Sequence, residues 1–270
     1  MDISTIIIPV ISLGSMGLIF GGILAYASQK FAIKIDQRIS EISDILPGAN
    51  CGGCGFPGCD SFADAVVNKR APISGCPVGG TEITEKISRI MGVETEKKIR
   101  EVAHIICSGD ELKCKNRFEY SGIQDCRAAT MIAGGAKGCK YGCLGLGTCL
   151  QVCAFNAIEI TDDKIAKIIP ERCTACGKCI KACPKQVISL VPYEQNVIVD
   201  CNNTEKGKDV RSKCSIGCIA CQMCVKACPF DAMEFSNNLA KINYDKCTNC
   251  MICAEKCPTG AIYASFKEKK

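Results

Sequence analysis

The sequence predicts an α+β fold with a single N-terminal transmembrane helix, a small helical domain and two similar cysteine-rich modules in tandem. Three observations predict it: residues 3–29 carry no charge, 25 of the 270 residues are Cys, and the cysteine spacing of residues 139–192 recurs at 214–265. An odd number of cysteines excludes complete internal disulfide pairing. Aromatic residues make up 6% of the chain and Trp is absent, so bound metal is expected to supply part of the folding energy.

The N-terminal run is long enough to cross a membrane. As a helix, its apolar centre at 6–27 would extend about 33 Å, which matches a bilayer core. The chain starts with an acidic residue, Asp2, rather than with the basic residues that open a signal peptide. Lys30, Lys34 and Arg38 follow the run and nothing basic precedes it, which predicts that the rest of the chain lies in the cytoplasm.

We assign residues 1–29 to this anchor and expect a single-pass protein of the cytoplasmic (inner) membrane. Gly17 and Gly21 form a small-residue face within the run, which favours close contact with another helix. The alternative is that Gly is simply common in membrane helices.

A first group of cysteines follows the anchor, in a domain that we place at residues 30–100. Cys51, Cys54, Cys59 and Cys76 are its candidate ligands, and four glycines separate the first three of them from one another and flank them. Glycine lets the backbone wrap closely around a bulky inorganic cube. Four Cys without His suit either zinc or a four-iron cluster. Helices are predicted over 60–70 and 81–91.

Three later runs share the spacing C-x2-C-x2-C-x3-C-P. They begin at Cys173, Cys218 and Cys247 and end with Cys183-Pro184, Cys228-Pro229 and Cys257-Pro258. This is the spacing of bacterial ferredoxins, in which three closely spaced cysteines bind one cube and the fourth reaches across to a second cube. The repetition favours 4Fe-4S clusters over zinc.

A fourth run departs from this spacing. Cys143, Cys149 and Cys153 align with the second-half run, but Leu146 stands where the middle ligand belongs. Cys139 is the nearest replacement in the sequence, so we predict it as the substitute ligand.

The alignment predicts two tandem two-cluster ferredoxin-like modules, which we place at 101–192 (with a lead-in that contains Cys) and 193–270. Ligation should be crosswise within each module. The predicted sets are Cys173, Cys176, Cys179 with Cys153; Cys139, Cys143, Cys149 with Cys183; Cys218, Cys221, Cys224 with Cys257; and Cys247, Cys250, Cys253 with Cys228. With the N-terminal site, this makes five 4Fe-4S clusters.

Five cysteines remain outside these sets: Cys107, Cys114, Cys126, Cys201 and Cys214. They leave a sixth cluster open, most simply around Cys107, Cys114 and Cys126 with a further ligand nearby. The alternative is that they are free thiols.

Other function classes have little support in the sequence. His104 is the only His, which excludes His-rich zinc hydrolases and leaves a Ser-His-Asp triad dependent on one residue. There is no Walker motif, and the glycines at 142–147 lack the dinucleotide-binding spacing. The formal net charge of +5 counts every Cys as neutral, and five clusters would shift it to about −5. We therefore expect neither nucleic-acid binding nor a catalytic substrate site in this chain.

Two stretches carry a resemblance to a known family. Residues 45–59, ILPGANCGGCGFPGC, and 138–149, GCKYGCLGLGTC, resemble the B subunit of the Rnf complex, the second being typical of its clostridial-type branch. The resemblance implies a subunit of a membrane complex that transfers electrons from reduced ferredoxin to NAD, coupled to Na⁺ or H⁺ transport. It implies soluble ferredoxin and the other membrane subunits as partners. The second module departs from a simpler version of the family and leaves the electron route open.

Two other interpretations stand beside this one. A polyferredoxin-like subunit of another membrane oxidoreductase, such as a hydrogenase-type complex, would carry the same motifs. A structural zinc scaffold would use four thiolates for each metal. Lysines beside the cluster loops predict that an acidic ferredoxin docks on one of the C-terminal modules.

Overall fold

The computed structural model describes residues 3–31, 36–94 and 99–264. The chain begins with one helix, α1 (Ile3–Lys30), over the run predicted as the anchor. Over the described residues, no helix combines the length and apolar character that crossing a membrane requires, so the predicted span stays a prediction.

A small helical domain follows, and its helices are α2 (Gln37–Ile45), α3 (Cys59–Val67) and α4 (Gly80–Met91). Its core is formed by Ile42, Phe62, Val66 and Ile87, all at most 1% exposed. The predicted helices over 60–70 and 81–91 are present, and their ends agree within three residues. The domain therefore has a small apolar core of its own beside its cysteines.

The first cysteine-rich half is built from two antiparallel strand pairs and three short helices. Its outer pair joins the first strand to the last, and its inner pair is a hairpin. In chain order the elements are β1 (Glu101–Ile105), α5 (Cys126–Met131), α6 (Thr148–Gln151), β2 (Ile158–Ile160), β3 (Ala166–Ile168), α7 (Lys178–Ala182) and β4 (Ile188–Pro192).

The second half repeats this topology: the first strand pairs with the last, around an inner hairpin. Its elements are β5 (Val197–Val199), α8 (Gly207–Lys213), α9 (Met223–Ala227), β6 (Met233–Ser236), β7 (Leu239–Ile242), α10 (Ile252–Glu255) and β8 (Ile262–Ala264). The duplication seen in the cysteine spacing is therefore also a duplication of backbone topology.

The two halves meet along the lead-in segments that precede their cluster loops. An isolated β-bridge pairs Cys114 with Cys214, and His104 Nε2 lies 2.7 Å from Asp200 Oδ1. The Ser108 amide also donates to the Asp200 carbonyl, at 3.1 Å. His104, expected as a packed strand residue, lies in β1 and contacts the other half of the chain.

Candidate iron–sulfur centres

The N-terminal site brings its four predicted ligands together. Cys51, Cys54, Cys59 and Cys76 line one recess of about 320 Å³. Cys59 is the first residue of α3, and its amide donates to the Asn50 side chain at 2.8 Å. The recess is closed on its inner side by Phe62 from the domain core, so the ligand loop is packed directly on the helices.

The cluster loops of the two halves share one backbone conformation. In each loop, the residues on both sides of the middle ligand position have positive φ, in the left-handed region. These pairs are Gly145 and Gly147, Ala175 and Gly177, Ala220 and Gln222, and Asn249 and Met251. Each non-glycine residue in the left-handed region costs about 1 kcal/mol or more of conformational free energy. The free energy of binding a cluster offsets this cost. The loop with Leu146 in the middle position keeps the same conformation as the complete loops.

Three of the four crosswise sets predicted for the modules each line a single recess. These sets are Cys153 with Cys173, Cys176 and Cys179; Cys257 with Cys218, Cys221 and Cys224; and Cys228 with Cys247, Cys250 and Cys253. In both halves, the remote cysteine accepts a backbone hydrogen bond at a matching position. The Ala157 amide donates to Cys153 Sγ at 3.3 Å, and the Ala232 amide to Cys228 Sγ at 3.4 Å.

The incomplete loop has a different fourth neighbour from the one predicted. Burial raises the pKa of Cys149 to about 12, and three nearby thiols add to the rise, those of Cys143, Cys126 and Cys183. Cys126 is the first residue of α5, and its amide donates to Thr148 Oγ1 at 2.6 Å. This bond ties α5 to the start of α6, and it places Cys126 beside the loop that lacks its middle cysteine.

Cys139, the predicted substitute, lies in another recess. It packs with Cys114 and Cys214. All three line a recess of about 360 Å³ between the two halves, which we call the junction recess. Its cysteines are Cys107, Cys114, Cys139, Cys201 and Cys214. The sequence alone groups Cys107 and Cys114 with Cys126 in a sixth site, whereas the structure separates Cys126 from them.

The junction recess is rich in polar contacts to sulfur. Asn203 Nδ2 donates to Cys139 Sγ at 3.3 Å, and Asn203 is 1% exposed. Lys137, 5% exposed, donates to the Cys143 carbonyl at 2.7 Å and also to the Gly109 carbonyl. Hydrogen bonding with Cys214 raises the pKa of Cys114, and the same contact lowers the pKa of Cys214.

The donor sets of the five recesses fit iron–sulfur clusters. Within the described part of the chain, no three Cys, His, Asp or Glu side chains converge on the position of a single metal ion. Each site instead surrounds its space with thiols, apolar side chains and backbone amides, which are the surroundings that clusters with thiolate ligands use.

The sites differ in exposure. Cys221 and Cys250 are exposed, while the other 23 cysteines are buried or half-buried. Both exposed thiols belong to the second half, at the middle position of its two loops. The middle position of the complete loop in the first half is covered instead: a Cβ atom at Gly53 would lie 3.0 Å from Cys176 Cβ.

Three family models match parts of the chain. Residues 46–78 match the Fe-S cluster family, residues 137–187 the 4Fe-4S dicluster domain and residues 240–263 the 4Fe-4S binding domain.

Three similar relatives span nearly the whole chain, and each is the B subunit of an oxidoreductase complex. That of the Na⁺-translocating ferredoxin:NAD⁺ oxidoreductase complex of Acetobacterium woodii is 51% identical over 96% of this chain and 78% of its own length. That of the proton-translocating ferredoxin:NAD⁺ oxidoreductase complex of Clostridium ljungdahlii is 42% identical over 97% and 93%. That of the ion-translocating oxidoreductase complex of Methanosarcina acetivorans is 40% identical over 96% and 98%.

Proposed function

Because this chain belongs to the family of Rnf-complex B subunits, from the ion-translocating ferredoxin:NAD oxidoreductases, we propose that it relays electrons from reduced ferredoxin through 4Fe-4S clusters in such a complex. The observation that carries this function is the crosswise grouping of the ferredoxin-type cysteines. Crosswise ligation places two clusters side by side in one small module, which suits single-electron transfer.

Six clusters account for the cysteines best. The N-terminal set and three crosswise sets are those that the sequence predicts, and each set lines one recess. In the fourth crosswise set, Cys126 replaces Cys139, so that its ligands are Cys126, Cys143, Cys149 and Cys183. The sixth cluster takes four of the five thiols in the junction recess.

The protein contributes binding and electrostatics to this chemistry. The clusters supply one-electron oxidation and reduction, and the chain sets their surroundings. Backbone amides donate to ligand sulfurs such as Cys153 Sγ and Cys228 Sγ, and such bonds stabilise the added negative charge of a reduced cluster. Buried Lys137 places a positive charge beside the junction recess.

Reduced ferredoxin docks on the second half in this proposal. Its middle ligands Cys221 and Cys250 are exposed, and Lys226, Lys246 and Lys256 are exposed around them. Positive charge around a redox centre steers an acidic partner.

Two other lysines beside the cluster loops are less suited to this role, Lys185 in the first half and Lys213 at the end of α8 in the second. Lys185 is half-buried and its Nζ donates to the Gly134 and Lys140 carbonyls at 2.7 and 2.5 Å. Lys213 is held by Glu205 at 2.8 Å. The ammonium groups of both lysines are therefore already held by other parts of the chain.

The helix α1 is the membrane anchor in this proposal, with the clusters on the cytoplasmic side and the other subunits of the complex around it. The support is its sequence and surface: it is uncharged from residue 3 to residue 29, and Leu13, Leu18 and Leu24 are 72%, 81% and 69% exposed. Exposed leucines from residue 13 to residue 24 of one helix require an apolar environment or partner.

Iron content and reduction by ferredoxin test the proposed function. Full-length protein reconstituted with iron and sulfide should hold about 24 Fe per chain, four for each cube, and reduced ferredoxin should bleach its absorbance near 400 nm. Deletion of residues 1–29 should leave both properties intact and abolish membrane association. Stoichiometric zinc with little iron, or a reconstituted protein that ferredoxin cannot reduce, would contradict the proposal.

A further inference from the structure

We infer that the junction recess holds a cluster shared by both halves of the chain, with Cys107, Cys139, Cys201 and Cys214 as its four ligands and with Cys114 as a fifth thiol beside Cys214 that is not a ligand. The inference rests on the proposed function, because a cube takes four thiolates and the recess offers five cysteines.

The duplication relates the four ligands in pairs. Cys107 and Cys201 end the lead-in segments of the two halves, and Cys139 and Cys214 each stand four residues before the first cysteine of a cluster loop. Each half therefore supplies two thiols at equivalent positions. Two equivalent pairs that face one recess supply four thiols, which is the number of ligands that a four-iron cube takes.

The hydrogen bonds around the first pair follow the same symmetry. The Cys143 amide donates to Cys107 Sγ at 3.4 Å, and the Cys218 amide donates to Cys201 Sγ at 3.3 Å. Cys143 and Cys218 occupy the same position in their loops, as the first cysteine of each. The two sulfurs are thus held by equivalent contacts, which argues against choosing one of them as a ligand and leaving the other out.

The second pair lies in equally well-formed surroundings. Cys139 Sγ accepts from buried Asn203 at 3.3 Å. Cys214 is 7% exposed and lines the same recess. Hydrogen bonds from amides and buried side chains are the usual support of ligating sulfurs.

Cys114 has no counterpart in the second half. It is 1% exposed and forms an isolated β-bridge with Cys214. A cube takes four thiolates, and the two equivalent pairs already supply them. Cys114 is therefore the cysteine of the recess that stays outside the ligand set.

A cluster of this kind would be a metal link between the halves. Two of its ligands come from each half, so its binding free energy would also stabilise their association. Cys107 and Cys201 accept from the first cysteines of the two neighbouring loops, so the junction site is in direct contact with a cluster site on each side.

Iron analysis of single variants tests the ligand set. Full-length wild-type protein should hold about 24 Fe, and Cys107→Ser, Cys139→Ser and Cys201→Ser should each hold about 20. Cys114→Ala should keep about 24 Fe, and its absorbance near 400 nm should match that of the wild-type protein.

The outcomes separate the inference from the function on which it rests. A Cys114→Ala protein with about 20 Fe, or a Cys107→Ser protein that keeps about 24, would overturn the ligand set. Where a ligand variant loses far more than four irons because a module unfolds, the Cys114→Ala count decides alone, since full iron retention requires a folded chain. A wild-type protein that holds about 20 Fe and is still reduced by ferredoxin would remove the junction cluster and leave the proposed electron transfer in place.

Discussion

The two ferredoxin-like halves share a topology and a loop backbone but differ in completeness and exposure. The second half has all its loop cysteines, and the middle ligands Cys221 and Cys250 are exposed. In the first half, one middle position is Leu146 and the other, Cys176, is covered at Gly53 by the N-terminal domain. The second half therefore exposes its middle ligands, while the corresponding cysteine of the first half is covered by another part of the chain.

The incomplete loop shows that backbone and ligand can diverge separately after duplication. Gly145 and Gly147 keep the left-handed conformation found on both sides of Cys176 and Cys221. Only the thiol between them is missing, and Cys126, from outside the loop, lies near Cys149. A long connection before the loop exists in the first half alone, and it is this connection that carries Cys126.

The largest effect is expected in the incomplete loop, where we propose Cys126 as the fourth ligand. Cys126→Ser should lower the iron content by about four per chain, because a cube needs its fourth thiolate. The double variant Cys126→Ser/Leu146→Cys should recover that iron, since it restores the ligand pattern of the second half. Iron analysis and visible absorbance measure both. If the Cys126→Ser protein keeps about 24 Fe, Cys126 is not the ligand that replaces the missing loop cysteine of the first half.

The next effect concerns the partner surface. Changing Lys226, Lys246 and Lys256 to Glu should slow reduction by ferredoxin about tenfold at low salt, because charge steering speeds encounter by about that factor or more. Stopped-flow absorbance near 400 nm measures the rate. The matched control changes Lys178 and Lys181 in the first half to Glu and should have little effect. A slower rate in the control alone would reverse the assignment of the exposed half as the docking surface.

A smaller effect is expected at the contact between the N-terminal domain and Cys176 of the first half. A Cβ atom at Gly53 would lie 3.0 Å from Cys176 Cβ and 3.0 Å from Pro77 Cγ, so Gly53→Ala should destabilise this contact by about 1 kcal/mol. Urea unfolding followed by cluster absorbance measures the change in midpoint. Gly142→Ala is the control, because its Cβ would make an ordinary contact at 3.5 Å. Equal midpoints for Gly53→Ala and wild type would show that the two domains do not pack there.

The smallest difference concerns pH and cluster assembly. Burial raises the pKa of Cys149 in the first half to about 12 and that of Cys224 in the second to about 11. Both thiols are therefore protonated in the apoprotein at neutral pH, and cluster binding must release their protons. Incorporation into both halves should therefore rise with pH from 7 to 9. Iron titration of chains carrying Cys149→Ser or Cys224→Ser measures each half, and iron uptake that does not change between pH 7 and pH 9 would contradict this prediction.

Much of the arrangement was predictable because most ligands are close in sequence. A C-x2-C-x2-C spacing forms a loop around one cube whatever lies around it, so Cys173–Cys179, Cys218–Cys224 and Cys247–Cys253 could be assigned from spacing alone. Crosswise pairing follows because the fourth Cys of such a run ligates the other cluster in two-cluster ferredoxins. The sequence by itself also predicted the duplication and the family.

The tertiary structure decided where the remaining cysteines belong. The five thiols of the junction recess, which include Cys139, come from segments far apart in the chain. Cys126, which lies outside that recess, also comes from a segment away from the loop that it approaches. No spacing rule connects these cysteines. Their positions depend on how α5 packs against the incomplete loop and on how the lead-in segments of the two halves pair at Cys114 and Cys214. Local spacing specifies a loop, whereas a site built from distant segments is specified only when those segments pack together.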